Sequence, residues 1–234
     1  KIFRDDDPVL TYTSTLAVDG ETAVFTGALG RTAGENVYDG PYAITIGLLE
    51  LTDGQAPNAF QKDNYTLELS ADVVTFAITP RGYALRSIDM DALPVFIYNG
   101  AAQEPTPEVS DGGVLLSKDA DHPDYELTYT NNTNAGTAML TVTGINNYMG
   151  EQNRNFVIDR MDITVTPDAD QNKTFGEADP AEFTDTRTPA AVIPGETPAY
   201  TGALARAEGD DAGTYAITQG DLLLADGVAP NTFL

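Results

Sequence analysis

Short runs in which apolar and polar residues alternate, broken by turn-forming residues, follow one another from Lys1 to Leu234. Val9-Leu10-Thr11-Tyr12-Thr13, Ala23 to Leu29, Asn64 to Leu69 and Tyr125 to Tyr129 all have the period of two that places successive side chains on opposite faces of a strand. Val73 to Thr79 is an apolar run stopped by Pro80, and Asn153 to Ile158 reads as another strand. Val95-Phe96-Ile97-Tyr98 runs into Asn99-Gly100, and Asp111-Gly112-Gly113 reads as a turn between strands. No window of 11 or more residues combines helical spacing with caps. The pattern predicts an all-β chain.

Several of these runs recur. Asp211-Ala212-Gly213-Thr214-Tyr215-Ala216-Ile217-Thr218 has a looser copy in Asn134 to Thr141 and shares its end with Gly40-Pro41-Tyr42-Ala43-Ile44-Thr45. In each, a small polar residue and a Gly make a turn, and the alternation that follows enters a half-buried strand. The structural anchors expected of the repeat are Gly40, Tyr42 and Ile44, then Gly136 and Leu140, then Gly213, Tyr215 and Ile217. Further blocks repeat in the same order. Lys1-Ile2-Phe3 and Asp6-Asp7-Pro8 match Lys173-Thr174-Phe175 and Ala178-Asp179-Pro180; Phe25-Thr26-Gly27-Ala28-Leu29 matches Tyr200-Thr201-Gly202-Ala203-Leu204; Ala56-Pro57-Asn58-Ala59-Phe60 matches Ala229-Pro230-Asn231-Thr232-Phe233. The offset moves from 172 to 175 and back to 173, which places insertions in loops.

This repetition divides the chain into three small modules, residues 1–80, 81–159 and 160–234, joined by short linkers with little Gly or Ser. The expected architecture is an elongated string of antiparallel β modules. The first module lacks a counterpart of Asp162 to Thr166 and the third lacks one of Asn64 to Thr79, so each is expected to carry either an open sheet edge or a strand contact from another copy. The middle module is expected to be complete, with its amides near Leu140 better protected from exchange than those near Phe3 and Leu222.

The blocks Lys-x-Phe-Gly-x-x-Asp-Pro at Lys173 to Pro180, Thr-Gly-Ala-Leu-x-Arg at Thr201 to Arg206 and Gly-Thr-Tyr-Ala-Ile-Thr at Gly213 to Thr218 resemble the MBG-type repeats of large bacterial surface adhesins. The first module is a divergent copy, with Arg4 in place of the Gly and Pro41 in place of Thr214. The middle module, with Tyr98-Asn99-Gly100, Glu104-Pro105, Asn131 to Thr137 and Gly144 to Gly150, resembles a second repeat type of bacterial cell-wall and surface proteins. The turn-plus-Tyr motif is similar to the tyrosine corner of immunoglobulin-like sandwiches. The resemblance implies tandem extracellular modules with a β-grasp-like or immunoglobulin-like sheet, and it supplies no catalytic residues.

Charge narrows the partners. With 36 acidic residues against 12 basic ones and a net charge of −24, the chain is a poor ligand for nucleic acid or anionic lipid. A hydrophobic fraction of 41% is nevertheless too high for a disordered polyanion. No apolar run reaches the length of about 18 residues that a membrane span needs. The expected partners are the neighbouring repeat modules and a glycan or protein on a host or neighbouring cell, and the expected location is extracellular, on a bacterial surface or secreted.

Candidate chemistry is thin. His122, the only histidine, lies in Asp119-Ala120-Asp121-His122-Pro123-Asp124, which reads better as a solvated turn than as a metal site. Without Cys, zinc-thiolate and thiol chemistry are excluded. Calcium suits clustered carboxylates best, at Asp5-Asp6-Asp7, at Asp168 and Asp170, or at Asp210 and Asp211, but none of these forms an EF-hand loop, and ordinary solvated acid is the preferred reading. If bound there, calcium is expected to stiffen a module rather than catalyse. None of the five Ser sits in a Gly-x-Ser-x-Gly setting, so no catalytic residue and no other cofactor is assigned. The leading expectation is a non-catalytic stalk or adhesion segment. Its competitor is an accessory carbohydrate-binding string, which needs Tyr83, Tyr125 or Tyr148 exposed in a flat strip.

Overall fold

Short β-ladders, most of them antiparallel, carry the backbone in the computed structural model. It describes residues 1–15, 18–82, 88–90, 92–189 and 193–227, the backbone alone for 88–90. The chain is all-β: among the described residues the only helical turn is the 3-10 segment Lys62–Asn64, and no helix is long and apolar enough to cross a membrane. The Ala229 to Phe233 block and Tyr83 lie outside the described residues.

By compactness the chain divides into two units. The first comprises Lys1–Ala92, Thr106–Thr128 and Leu140–Arg154; the second comprises Leu93–Pro105, Tyr129–Met139 and Asn155–Leu234.

In the first unit, Val24–Thr26 pairs with Glu50–Thr52, and Tyr42–Thr45 lies between Gly30–Arg31 and Thr75–Phe76. Alternation then decides the core. Tyr42, Phe76 and Ile78 are buried together, with Phe3, Leu10, Val37 and Ile44 packed on them, while Ala43 faces outward. The block Phe25-Thr26-Gly27-Ala28-Leu29 turns at Gly27, whose φ is +76° and where an added Cβ would stand 1.8 Å from the Leu48 carbonyl oxygen. Its counterpart Gly202 meets the Asp221 carbonyl at 2.0 Å with φ +72°. Only glycine lets these backbones cross so closely, which is why this residue recurs. Further on, Val109–Asp111 pairs with both Ile88–Met90 and Val114–Leu115, and the hairpin turns at Gly112 and Gly113, both at positive φ.

The second unit pairs Ile163–Pro167 with Asp185–Pro189, Ala199–Thr201 with Leu223–Ala225, and Ala205–Arg206 with Ile217–Thr218. Tyr125–Thr130, Gly136–Gly144, Glu151–Asp159 and Phe96–Ile97, in that order, form a four-stranded sheet. Along Gly136–Gly144 the side chains of Ala138, Leu140 and Val142 are fully buried at every second position. Gly136 opens that strand at φ +140°.

Two expectations about elements need correcting. Val9-Leu10-Thr11-Tyr12-Thr13 and Asn64 to Leu69 form no strand, although both alternate. Alternation specifies which side chains face inward, but a strand also needs a neighbouring edge to bond. Asp185–Pro189 is a strand because Ile163–Pro167 lies beside it, whereas among the described residues no strand pairs with Val9 to Thr13. Tyr65 is held instead by its ring stacked 4.9 Å from Phe60 and by its hydroxyl, which donates to Glu21 at 2.6 Å. The sheets are mainly antiparallel, as expected, with two parallel pairs among them, Arg81–Gly82 with Tyr148–Met149 and Phe96–Ile97 with Ile158–Asp159. Such pairs are joined through long intervening chain, which a scan for hairpins does not detect.

Candidate functional site: a repeated arginine clasp

The repeated blocks converge on one arginine in each copy. In the first, Gly30–Arg31 lies beside Tyr42–Thr45, and the Arg31 guanidinium stands 5.0 Å from the Tyr42 ring centre and 5.1 Å from that of Phe76. Its Nε donates to Asp7 Oδ2 at 2.6 Å and Nη2 to Asp7 Oδ1 at 3.1 Å, the bidentate fork that guanidinium and carboxylate geometry favours. Nη2 also donates to Glu35, and Nη1 to the carbonyls of Thr32, at 3.1 Å, and Gly34. Lys1 Nζ completes the group, bonded to Asp7 at 2.7 Å and to Glu35. Both cationic side chains are almost wholly covered, at 8% exposure for Arg31 and 5% for Lys1.

The second copy rebuilds the arrangement from its own blocks. Arg206 Nε donates to Asp179 at 2.9 and 3.0 Å, Nη1 to the carbonyls of Ala207 at 3.0 Å and Gly209 at 2.6 Å, and the guanidinium lies 5.0 Å from the Tyr215 ring centre. Lys173 Nζ meets Asp179 at 2.7 Å, and Asp210 takes the place of Glu35, 3.6 Å from Arg206. Gly34 and Gly209 correspond as well. At φ +136° and +145°, each lies flat against its tyrosine, with an added Cβ only 2.2 Å from the ring.

Each tyrosine also ties down the loop before its strand. The Tyr42 hydroxyl donates to the Asn36 carbonyl at 2.6 Å and the Tyr215 hydroxyl to the Asp211 carbonyl at 2.7 Å. Replacing Tyr42 by Phe keeps the ring and removes only this bond, so a loss of about 1 kcal/mol is expected in denaturant titration. A change within error would show that the hydroxyl contributes nothing.

Hydrogen bonds from Arg31, then from Lys1, lower the Asp7 carboxyl to about 2, and Lys1 followed by Arg31 lowers Glu35. A depressed carboxyl stabilises the fold above its unfolded value and loses that contribution as pH falls through the folded value. The first copy is therefore expected to weaken from near pH 4 down to about pH 2, with Asp7→Asn flattening this dependence in acid melts. An unchanged slope in Asp7→Asn would assign the acid sensitivity to other carboxylates.

The first copy additionally grips residues that follow it. Asp111, at 3% exposure, accepts at Oδ2 from Arg4 Nη1 at 3.2 Å and faces Arg81 Nε at 2.9 Å. Arg4 also bonds the Asp111 carbonyl at 3.2 Å and the Tyr148 hydroxyl at 3.3 Å. Phe3 meets the Tyr148 ring edge-on at 5.5 Å, Asn147 Oδ1 accepts from the Val37 amide at 2.8 Å, and Tyr38 stacks on His122 at 4.0 Å. His122 is thus exposed but partnered. In the second unit, Tyr98 donates to Glu196, which together with burial pushes its phenol up to about 12.

The positions singled out for metal fall elsewhere. Asp210 faces Arg206, the Asp211 carbonyl holds Tyr215, Asp168 Oδ1 accepts from the Thr186 hydroxyl at 3.2 Å, and the Asp170 carbonyl accepts from Asn172 at 2.8 Å. Among the described residues no group of three or more His, Asp or Glu side chains gathers to hold a metal ion. Gly40 and Gly213 shape the turns before Tyr42 and Tyr215, and Ile44 and Ile217 follow on the inward face. Tyr125 and Tyr148 are buried, at 4% and 3% exposure, which removes both from any exposed aromatic strip. Of the clasp residues Lys1, Asp7, Arg31 and Gly34, with Lys173, Asp179, Arg206 and Gly209, only Asp7 was given a role by its spacing, as a calcium candidate, where it bonds Arg31 and Lys1 instead. Their signal was that they lie in or beside the blocks that repeat.

The family model for the MBG domain (YGX type) matches residues 1–75 and 163–226, together more than half of the chain. The chain therefore belongs to the MBG domain family, with two copies of a non-catalytic repeat domain typical of bacterial surface proteins and an unassigned stretch between them. No curated protein and no solved structure matches it.

Proposed function

We propose that this chain is a non-catalytic extracellular segment of a bacterial surface protein, a stalk or adhesive stretch whose modules space or present a binding surface. The observation that carries the reading is the repeated clasp. In both MBG copies a Lys, an Arg and an Asp (Lys1, Arg31 and Asp7, then Lys173, Arg206 and Asp179) are spent on holding strand to loop. Such internal use suits a domain whose work is to keep its shape. The middle stretch serves as a third module of a second surface-repeat type, and the partner is a glycan or protein on a host or neighbouring cell. Antibodies against the chain are expected to label intact, unpermeabilised cells of the source bacterium or its culture medium; label confined to lysed cells would overturn the surface reading. A glycan array separates presenting from spacing, since reproducible glycan capture would assign adhesion to these modules themselves.

A further inference from the structure

We infer that the loop of residues 131–135, in the stretch between the two MBG copies, holds a binding site for an uncharged sugar, a single ring bonded through its hydroxyls. This rests on the surface reading above and gives the glycan partner a place. The loop joins Tyr125–Thr130 to Gly136–Gly144, and its five residues exceed the two with which an antiparallel pair can close. It is also braced. The Gln103 amide donates to the Asn132 carbonyl at 2.7 Å, and Asn132 Nδ2 returns a bond to the Gln103 carbonyl at 3.0 Å. Gln103 is itself buried, and its Nε2 donates to Asn99 Oδ1 at 2.7 Å and to the Ala101 carbonyl at 2.9 Å. The Tyr129 hydroxyl adds a tie to the Pro105 carbonyl at 2.8 Å.

A buried amide network that fixes an exposed polar loop selects one shape for it, so the ordering cost of binding is met before a ligand arrives. The shape is concave. A hollow of about 260 Å³ is lined by Asn131, Asn132, Thr133, Asn134 and Thr137 together with Ala135 and Gly136. It is smaller than the roughly 300–1,000 Å³ that a drug-sized ligand fills, which suits one small ring. No charged side chain lines it, although the chain carries a net charge of −24. Without Lys, Arg or His the lining has no cation for an anionic ligand, and without carboxylates it is a poor seat for a divalent metal. Amides and hydroxyls both donate and accept, as sugar hydroxyls do. Among the described residues the side chains of Asn131, Thr133, Asn134 and Thr137 make no hydrogen bond, which leaves all of them open to a ligand.

The probes are glucose, galactose, mannose and N-acetylglucosamine, titrated separately into the isotope-labelled full chain while nuclear magnetic resonance reads the side-chain amides of Asn131, Asn132 and Asn134. At least one sugar is expected to shift them saturably, with a Kd of about a millimolar, and to leave Asn172 unmoved. Thr133→Ala and Asn134→Ala, both at exposed positions, are each expected to weaken binding by about fivefold, the loss of one hydrogen bond. Gln103 is a positioning residue, so Gln103→Leu is expected to weaken binding to a similar degree while amide exchange at Leu140 stays slow. No saturable shift with any of these sugars, shifts indifferent to both loop substitutions, full affinity in Gln103→Leu, or the same saturable shifts with sulfate would each overturn the site. Such a failure leaves the surface reading to the antibody labelling of intact cells. Saturable sugar binding with label confined to lysed cells would instead keep the site and overturn the surface reading.

Discussion

Replacing Asp111 by Ala is expected to destabilise the first unit by about 2–4 kcal/mol in denaturant titration, one of the two largest losses foreseen for a single change in this chain. The aspartate side chain is 3% exposed and faces two guanidinium groups, Arg4 at 3.2 Å and Arg81 at 2.9 Å. Its removal takes from both cations their buried carboxylate and leaves Arg81 to Asp5 and Arg4 to the Tyr148 hydroxyl. Breaking a fully buried pair typically costs about 3–5 kcal/mol, but Arg4 and Arg81 remain 28% and 35% exposed, so water relieves part of the penalty. Arg4 sharpens the test. It stands at φ +70°, where the second copy has Gly176 at φ +84°. A non-glycine residue there costs about 1–2 kcal/mol, and the contacts to Asp111 and Tyr148 offset that strain. Arg4→Gly is accordingly expected to be mild alone and strongly non-additive with Asp111→Ala. Additivity would show that the two residues do not act as a pair.

Arg31→Met is expected to cost about 2–3 kcal/mol in the same assay, because methionine fills part of the space but takes from Asp7 and Glu35 one of the two cations they share, leaving them to Lys1. The side chain is 8% exposed while its partners are 42% and 60% exposed, which places the effect below that of a wholly buried network. The loops at Asp7 and Gly34 lose the group that joins them, so exchange protection should fall around Thr32 and Ala43 before it falls at Leu140. Arg206→Met should act in the same direction and more weakly, since Arg206 is 15% exposed and its second carboxylate, Asp210, stands almost wholly in water. Equal protection in Arg31→Met and the unaltered chain would mean that packing of the Tyr42 ring alone holds the loop.

Much of this was legible in the sequence for local reasons. Period-two alternation marked Tyr125–Thr130, Gly136–Gly144 and Glu151–Asp159, because long strands with one buried face need that pattern. Asn99-Gly100 and Gly112-Gly113 marked turns, since they are the residues that take positive φ cheaply. The recurrence of Lys-x-Phe, Asp-Pro, Thr-Gly-Ala-Leu and Tyr-Ala-Ile-Thr determined the family, for internal repetition in order survives loop insertions.

What the sequence could not decide was partnership. Val9 to Thr13 and Asn64 to Leu69 alternate as well as any true strand does, yet among the described residues neither pairs with a strand. Arg31 and Asp7 are 24 residues apart, and Arg4 and Asp111 are 107 apart. Among 36 acids nothing in the spacing chooses those two carboxylates. The choice is made when the strands of the first copy bring Lys1, Asp7, Arg31 and Tyr42 to one place, where a guanidinium removed from water must find fixed acceptors. Pairing and charge burial are properties of the assembled backbone, so only the tertiary structure settled which alternating runs became strands and which acids became structural.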